Sequence, residues 1–431
     1  MAGRVVLVVL GFPRLSETFI VSKFVGLLRR GWDVHVVCSH IRKENWESFP
    51  ELATIPDVRE RIHTRWPHSP SWTAAALMPI ALLQCLLAAP RRTLRYLGRA
   101  VPSLGASGAL RRLYLDAELV RLGPGIVHFE FGSLAPDRMD VKKLLDCRIV
   151  VSFRGYDINF VGLDAPGHYD PVWKHADGLH FLGEDLWRRA RRRGCPPEVL
   201  HALIAPAIDT DVFRPAPKPV PAPDVGAGPL RILSVGRLEW KKGYEDALLA
   251  VRKLVDRGVP CRYRIVGDGD YLAAVSFVRY QLGLEGVVEL LGAQPREDVL
   301  REMREADVLL HAATSEGFSN AVMEAQAMEL PVVCTNADGL GENVADGETG
   351  FVVPRRDNTA IADKLEILAR DPGLRREMGR AGRRRTLEKF RLSDQIDRFE
   401  KLYAQVFGVP PPPSARAEEA EPAVVGAGSI R

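Results

Sequence analysis

Short runs of consecutive apolar residues alternate along the chain with longer stretches whose apolar positions recur every three to four residues, the pattern of buried parallel strands separated by helices. In the first half, residues 4–10 (RVVLVVL) end at Gly11, and a helix-spaced stretch runs from Ser16, a candidate N-cap, to Arg30. DVHVVC, IVHFEF and RIVVSF follow as further strands, with helical stretches between most of them, which predicts a parallel sheet. The second half alternates more cleanly: strand RILSV, helix from Tyr244, strand YRIV, helix from Tyr271, strand VVELL, helix from Arg296, strand DVLLHA, helix from Asn320, then PVVCT, GFVVP and another helix. The expected fold is α/β, with two Rossmann-like, doubly wound units.

Between the two patterns lies PAPKPVPAPDVGAGP, whose Pro, Ala and Gly content predicts a linker. The expected organisation is an N-terminal unit over 1–215, a linker over 216–230, a second Rossmann-like unit over 231–385, a helical C-terminal segment over 386–408 and a disordered tail over 409–431. A chain of 431 residues exceeds what one hydrophobic core supports, in keeping with two units.

Composition adds exclusions. With 46% hydrophobic and 26% charged residues, global disorder is ruled out. A net charge of +4 is too weak an excess for a protein whose main partner is nucleic acid. Six scattered cysteines form no short Cys/His spacing, so neither a zinc site nor a disulfide framework is expected, and a reducing cytoplasm fits best. A first strand beginning at Arg4 leaves no room for a secretory signal.

The charge is uneven: +8 before residue 220 and −4 after it. Most of the asymmetry lies between Arg61 and Leu115, where Arg61, Arg65, Arg91, Arg92, Arg95, Arg99, Arg111 and Arg112 stand without one Asp or Glu. Within it, Trp72 to Ala89 is long and apolar enough to suggest a membrane span. Strand-like runs on both sides argue against that, because a span would put half of one sheet across the bilayer. Two readings stay open: helices packed on the N-terminal unit and interrupted at Pro79 and Pro90, or an in-plane, Arg-flanked patch for a membrane surface or an anionic acceptor.

Ligands of doubly wound sheets bind at the carboxyl ends of strands, so the chemistry is sought in the loops there. Gly236 to Gly243 (GRLEWKKG) leaves strand RILSV and carries Arg237 and Lys242, two cations suited to phosphate oxygens. Ser315 to Glu324 (SEGFSNAVME) follows DVLLHA. There Gly317 permits close backbone approach, the amides of Phe318, Ser319 and Asn320 open a helix, and Glu316 and Glu324 place an acid at either end. Weaker candidates are the loop Gly11–Phe19 with Glu17, and Phe153–Asp157, where Arg154 and Asp157 form either a buried pair or a functional loop.

Together these residues resemble the family-four retaining glycosyltransferases of GT-B fold over nearly the whole chain. Glu316 to Glu324 matches the E-x7-E motif and Gly236 to Gly243 the GRLxxxKG motif; FPxxSETFI (Phe12–Ile20), HFEFG (His128–Gly132), IDTDVFRP (Ile208–Pro215) and ENVADGETGFVVP (Glu342–Pro354) support them. The N-terminal loop points to the exopolysaccharide-assembly branch. The resemblance implies two domains facing across a cleft, and a sugar moved from a nucleotide diphosphate to a hydroxyl acceptor without a metal or other cofactor. Arg237 and Lys242 would neutralise the diphosphate, Glu324 would hold the ribose, and Glu316 with the backbone of Gly317, Phe318, Ser319 and Asn320 would hold the donor sugar. Gly11, Glu17 and Asp157 would line the acceptor side. Where the family usually has a histidine reaching the donor sugar, this chain has Arg154, which can donate but not accept a proton at neutral pH. The acceptor stays open among a polyprenyl-diphosphate oligosaccharide, a glycolipid and a small natural product. A hydrolase or epimerase of the same fold, and a non-catalytic sugar-nucleotide-binding subunit, are the alternatives.

Overall fold

The structure, a computed structural model, describes residues 3–14, 17–67, 71–215 and 228–410. The expected N-cap Ser16, most of the expected linker and the expected tail beyond residue 410 lie outside them. The first sheet contains β1 (Val5–Phe12), β2 (Val34–Ile41), β3 (Ile62–Thr64), β4 (Ile126–Phe129), β5 (Arg148–Phe153), β6 (Gly178–Phe181) and β7 (His201–Leu203), in the order β3-β2-β1-β4-β5-β6-β7. The second contains β8 (Leu230–Val235), β9 (Cys261–Val266), β10 (Val288–Gly292), β11 (Val308–His311), β12 (Val332–Thr335) and β13 (Gly350–Val353), in the order β10-β9-β8-β11-β12-β13. Every named strand pair is parallel. Val5–Val9 and Val308–Leu310 are almost fully buried, as strands covered by helices on both faces require.

In each sheet the winding reverses beside the first strand, between β1 and β4 and between β8 and β11. These switch points leave crevices at the carboxyl ends of the strands. The loops carrying Glu17 and Glu130 open from one, and those carrying Lys242 and Glu316 from the other.

Three features depart from the sequence reading. Strands β3, β6 and β7 were not expected; each is three or four residues long and contains a histidine, too short for a periodic signal. The helix Ser71–Ala88 runs through Pro79 without interruption, and the chain breaks only at Ala89, with Pro90 in the first turn of the next helix, Pro90–Leu122. Pro79 and Ala75, whose carbonyl the proline cannot serve, both lie on the exposed side, where an unmade helix bond costs least. The longer helix breaks at Gly105, at φ 70°. Finally, residue 385 falls inside the helix Pro372–Lys389, and the turn comes at Phe390–Arg391, where the Phe390 ring packs on Phe318, 5.7 Å between centroids.

The last described helix, Leu392–Phe407, returns to the first sheet. Ile396 lies against Gly26, where a Cβ would meet it at 2.6 Å. Tyr403 Oη lies 2.7 Å from His128 Nδ1, His128 Nε2 2.8 Å from Ser152 Oγ, Ser152 Oγ 2.7 Å from His180 Nδ1, and His180 Nε2 2.8 Å from the Ile204 carbonyl. The carbonyl can only accept, so neutral His180 donates from Nε2 and accepts the Ser152 hydroxyl hydrogen bond at Nδ1. His128 in turn donates to Ser152 and accepts from Tyr403, which satisfies every atom in the chain. Burial pushes both histidines well below their usual range, which keeps them neutral.

Candidate active site

In the loop after β8, Gly243 has φ 66°, and a Cβ there would stand 2.0 Å from the Ala312 carbonyl oxygen. Only glycine lets this loop lie against the one after β11, and the Thr314 amide then bonds the Lys241 carbonyl at 2.8 Å. The result brings Lys242 Nζ onto Glu316 Oε2 as an ion pair. His311 Nε2 stands 3.4 Å from the same oxygen. Burial raises the pKa of Glu316, but the Lys242 ammonium and His311 more than offset it and hold the carboxyl at about 2. Arg237, from the same loop as Lys242, is 63% exposed and pairs with Glu239 at 2.5 Å.

The helix Asn320–Ala327 is capped by Ser319, whose hydroxyl accepts from the Val322 amide at 3.4 Å. One expectation changes here. The Ser319 amide donates to Asn343 Oδ1 at 3.1 Å and so is not free for an anion. Glu324, one turn into the helix and partly exposed, is pushed by desolvation up to about 7, with only the Arg296 charge opposing. The two acids of the E-x7-E spacing thus titrate about five units apart: one is ionised throughout the physiological range, the other poised within it.

Across the cleft, Arg154 Nη2 reaches Glu130 Oε2 at 3.2 Å, and its guanidinium lies 3.7 Å from the centre of the Phe19 ring. Glu130 also holds Lys23, so a buried Lys23–Glu130 pair and the partly buried Arg154 form one chain of charges. Burial pushes Lys23 down to about 8 against the pull of Glu130. Asp157, expected on the acceptor side, is 1% exposed. Its carboxylate instead accepts from the Arg154 and Ser133 amides, each at 2.9 Å, and ties the loops after β4 and β5 together. Arg154 is therefore paired through Glu130 rather than Asp157. Glu17 pairs with Arg14 at 2.6 Å, while its Oε2 is buried with no hydrogen-bond partner. Burial raises the Glu17 pKa against the nearby charges of Arg14, Arg154 and Arg237, the last from the second sheet. Gly11, the last residue but one of β1, is packed against the Arg14 side chain.

The walls meet at Gly155 and Gly317, where a Cβ on Gly155 would stand 3.0 Å from the Gly317 backbone. Asp338 links them further, accepting from Ser315 Oγ (2.6 Å), Asn159 Nδ2 (2.9 Å) and Arg189 Nη2 (2.6 Å). Glu130, Lys23, His311 and Asp338 were not singled out from sequence. Glu130 lay inside the HFEFG run without an assigned role; Lys23 and Asp338 carry no local pattern.

Two doubly wound parallel sheets whose switch points face one another across a cleft of paired cations and acids make the GT-B arrangement of glycosyltransferases. The family described as "Glycosyl transferases group 1" matches residues 223–385. The putative colanic acid biosynthesis glycosyltransferase WcaL of Escherichia coli (strain K12) is 30% identical over 372 residues, covering 83% of this chain and 88% of that protein. The amylovoran biosynthesis glycosyltransferase AmsK of Erwinia amylovora is 31% identical over 246 residues, 55% of this chain and 59% of that one. Among solved structures, a glycosyltransferase from Rickettsia africae superposes with a TM-score of 0.70 at 17% identity, over 94% of this chain and 98% of that one. Anabaena Alr3699/HepE, in complex with UDP and glucose, superposes with a TM-score of 0.69 at 14% identity, over 94% and 100%. The chain belongs to the group 1 glycosyl transferases.

Proposed function

We propose that this glycosyltransferase is a retaining enzyme of polysaccharide assembly, moving a sugar from a nucleotide diphosphate to a hydroxyl acceptor. The observation that carries the reading is the convergence of Lys242, Glu316 and the capped helix bearing Glu324 at one switch point, opposite Arg154 and Glu17 at the other. The UDP-bound Anabaena structure and the exopolysaccharide relatives support the donor class and the pathway. In this reading Lys242 and Arg237 meet the diphosphate and stabilise its charge as the glycosidic bond breaks, aided by the positive end of the Asn320–Ala327 helix. Glu316, ionised at neutral pH, supports positive charge at the anomeric carbon. The Glu324 carboxylate accepts from the ribose hydroxyls. Arg154, on the loop touching Gly317, donates to the donor's sugar or phosphate, and the unpartnered Glu17 Oε2 accepts from the acceptor hydroxyl. No metal or other cofactor takes part, and the reaction is placed in the cytoplasm, the acceptor being lipid-linked, a glycan or a small molecule.

The test is a panel of nucleotide sugars scored for nucleotide diphosphate release, with and without an acceptor extract and a chelator, and with the product anomer read by NMR. Acceptor-dependent release, retained configuration and indifference to chelator are expected. Acceptor-independent release would indicate a hydrolase or epimerase, and no turnover with any donor a binding subunit.

A further inference from the structure

The eight arginines of the basic island do not act as one patch. Arg61 pairs with Asp33, Arg99 with Asp146, and Arg112 with Asp116 and Asp140, all acids from outside the island. What remains is more localised. The 18-residue helix Ser71–Ala88 contains no Asp, Glu, Lys or Arg. Its inner side buries Ala81 and Cys85 against Tyr96 and Leu113. Its outer side exposes Trp72, Ile80, Leu83 and Leu87 at helical spacing, Trp72 to 72% and Leu87 to 75%, and no described residue covers them. Leu94, on the following helix, is 62% exposed.

At Ala88 this apolar stripe runs into a groove of about 500 Å³ that brings together Arg4, Arg91, Arg92, Arg95 and Arg121. Arg92 is fixed there by donating to the Val120 and Arg121 carbonyls at 2.8 and 3.0 Å. Arg4 and Arg121 each share a carboxylate, Asp33 and Glu118. Arg91 and Arg95 are exposed and pair with no carboxylate among the described residues. Arg4 immediately precedes β1 and its carbonyl accepts from the Gly125 amide just before β4, so the groove lies at the amino ends of these strands. The catalytic cleft lies at their carboxyl ends, so the groove is no part of it.

We infer that the outer face of Ser71–Ala88, together with the adjoining arginine groove, docks the protein in the plane of an anionic phospholipid bilayer. An uncharged stripe with a tryptophan at one end and a cluster of cations at the other matches the boundary between acyl chains and phosphate head groups. A free phosphate would engage the groove and leave the stripe uncovered. An acidic protein would find no cation along the stripe to pair with its carboxylates. Among the described residues no helix is long and apolar enough to cross a membrane, so the contact lies on the surface.

Vesicle co-sedimentation of the full chain tests this without reference to turnover, using phosphatidylcholine alone and phosphatidylcholine with phosphatidylglycerol, at low and high salt. Binding to the anionic vesicles that weakens with salt is expected. Because a basic residue near an anionic surface contributes about a fivefold factor, Arg91→Glu with Arg95→Glu should lower partitioning more than about tenfold. Leu83→Ser with Leu87→Ser should lower it at both salt concentrations, and Trp72→Phe should remove a blue shift in tryptophan emission on binding. Thermal melts confirm that each variant is folded. Absence of binding at low salt, equal binding to neutral vesicles, or binding unchanged in both double variants would overturn the inference. So would concentration-dependent dimerisation abolished by the Leu83/Leu87 variant, which would assign the stripe to a second copy.

Discussion

On the first-sheet wall of the cleft, Lys23 and Glu130 close on one another in near-complete burial with the partly exposed Arg154 beside them, and Asp157 is taken up by two backbone amides. On the second-sheet wall, Lys242 and Glu316 form a partly exposed pair, Arg237 reaches into solvent, and Glu324 waits near its ionisation point. The first arrangement costs desolvation and makes each charge depend on its protein partner; the second leaves charges free to exchange their partner for a ligand. The Lys23–Glu130 pair therefore holds shape, whereas the proposed reaction draws on the more accessible groups, Lys242, Arg237, Glu316 and Glu324 on the second wall and Arg154 and Glu17 on the first.

The largest effect that could break this contrast is on stability. Glu130→Gln strands a buried ammonium and should cost about 3–5 kcal/mol in chemical denaturation, while Lys23→Met combined with Glu130→Gln should cost less. If Glu130→Gln leaves stability unchanged, the first wall is not held by that pair. Lys242→Ala should lose less stability than Glu130→Gln but roughly 2–4 kcal/mol of transition-state stabilisation in kcat/KM; Arg237→Ala, from an exposed pair, should lose about 1 kcal/mol of stability or less with a similar loss in kcat/KM. Normal turnover in a folded Lys242→Ala protein would remove it from the reaction.

Tyr403→Phe sharpens the first half of the contrast, since it leaves buried His128 Nδ1 without a donor. A loss of about 1–3 kcal/mol with unchanged turnover is expected, read by denaturation and steady-state assay. The smallest effect concerns pH. Burial pushes the free Glu324 carboxyl up to about 7, and in the proposed reading its ionised form accepts from the ribose hydroxyls. Calorimetric affinity for a nucleotide-diphosphate sugar should therefore fall about tenfold from pH 8 to pH 6, and Glu324→Gln should flatten the dependence. A wild-type profile as flat as the variant's would move the ribose contact elsewhere.

The second wall was nearly all legible in the sequence because its parts are local: a glycine-bounded basic turn, and two acids eight positions apart across a strand-to-helix loop. His311, one strand end away, was missed because a strand histidine carries no pattern of its own. The first wall was less legible. Glu130 stood in a recognised run, but nothing nearby marks Lys23 or Arg154 as its partners, more than twenty residues away on either side.

From the order of apolar runs alone the chain determines its two doubly wound units and the loops from which its reactive groups emerge, because burial of strands between helices is dictated by near neighbours. Only the tertiary structure decided which charges are neutralised. Asp33, Asp116, Asp140 and Asp146 lie outside the stretch that looked uniformly basic, yet three of its arginines reach them. It alone also decided that the last described helix returns to the first sheet to donate a hydrogen bond to His128. Ion pairs and buried hydrogen bonds act over a few ångströms of space whatever the distance along the chain, so apart from Arg112–Asp116, four residues apart, no short window of sequence contains these.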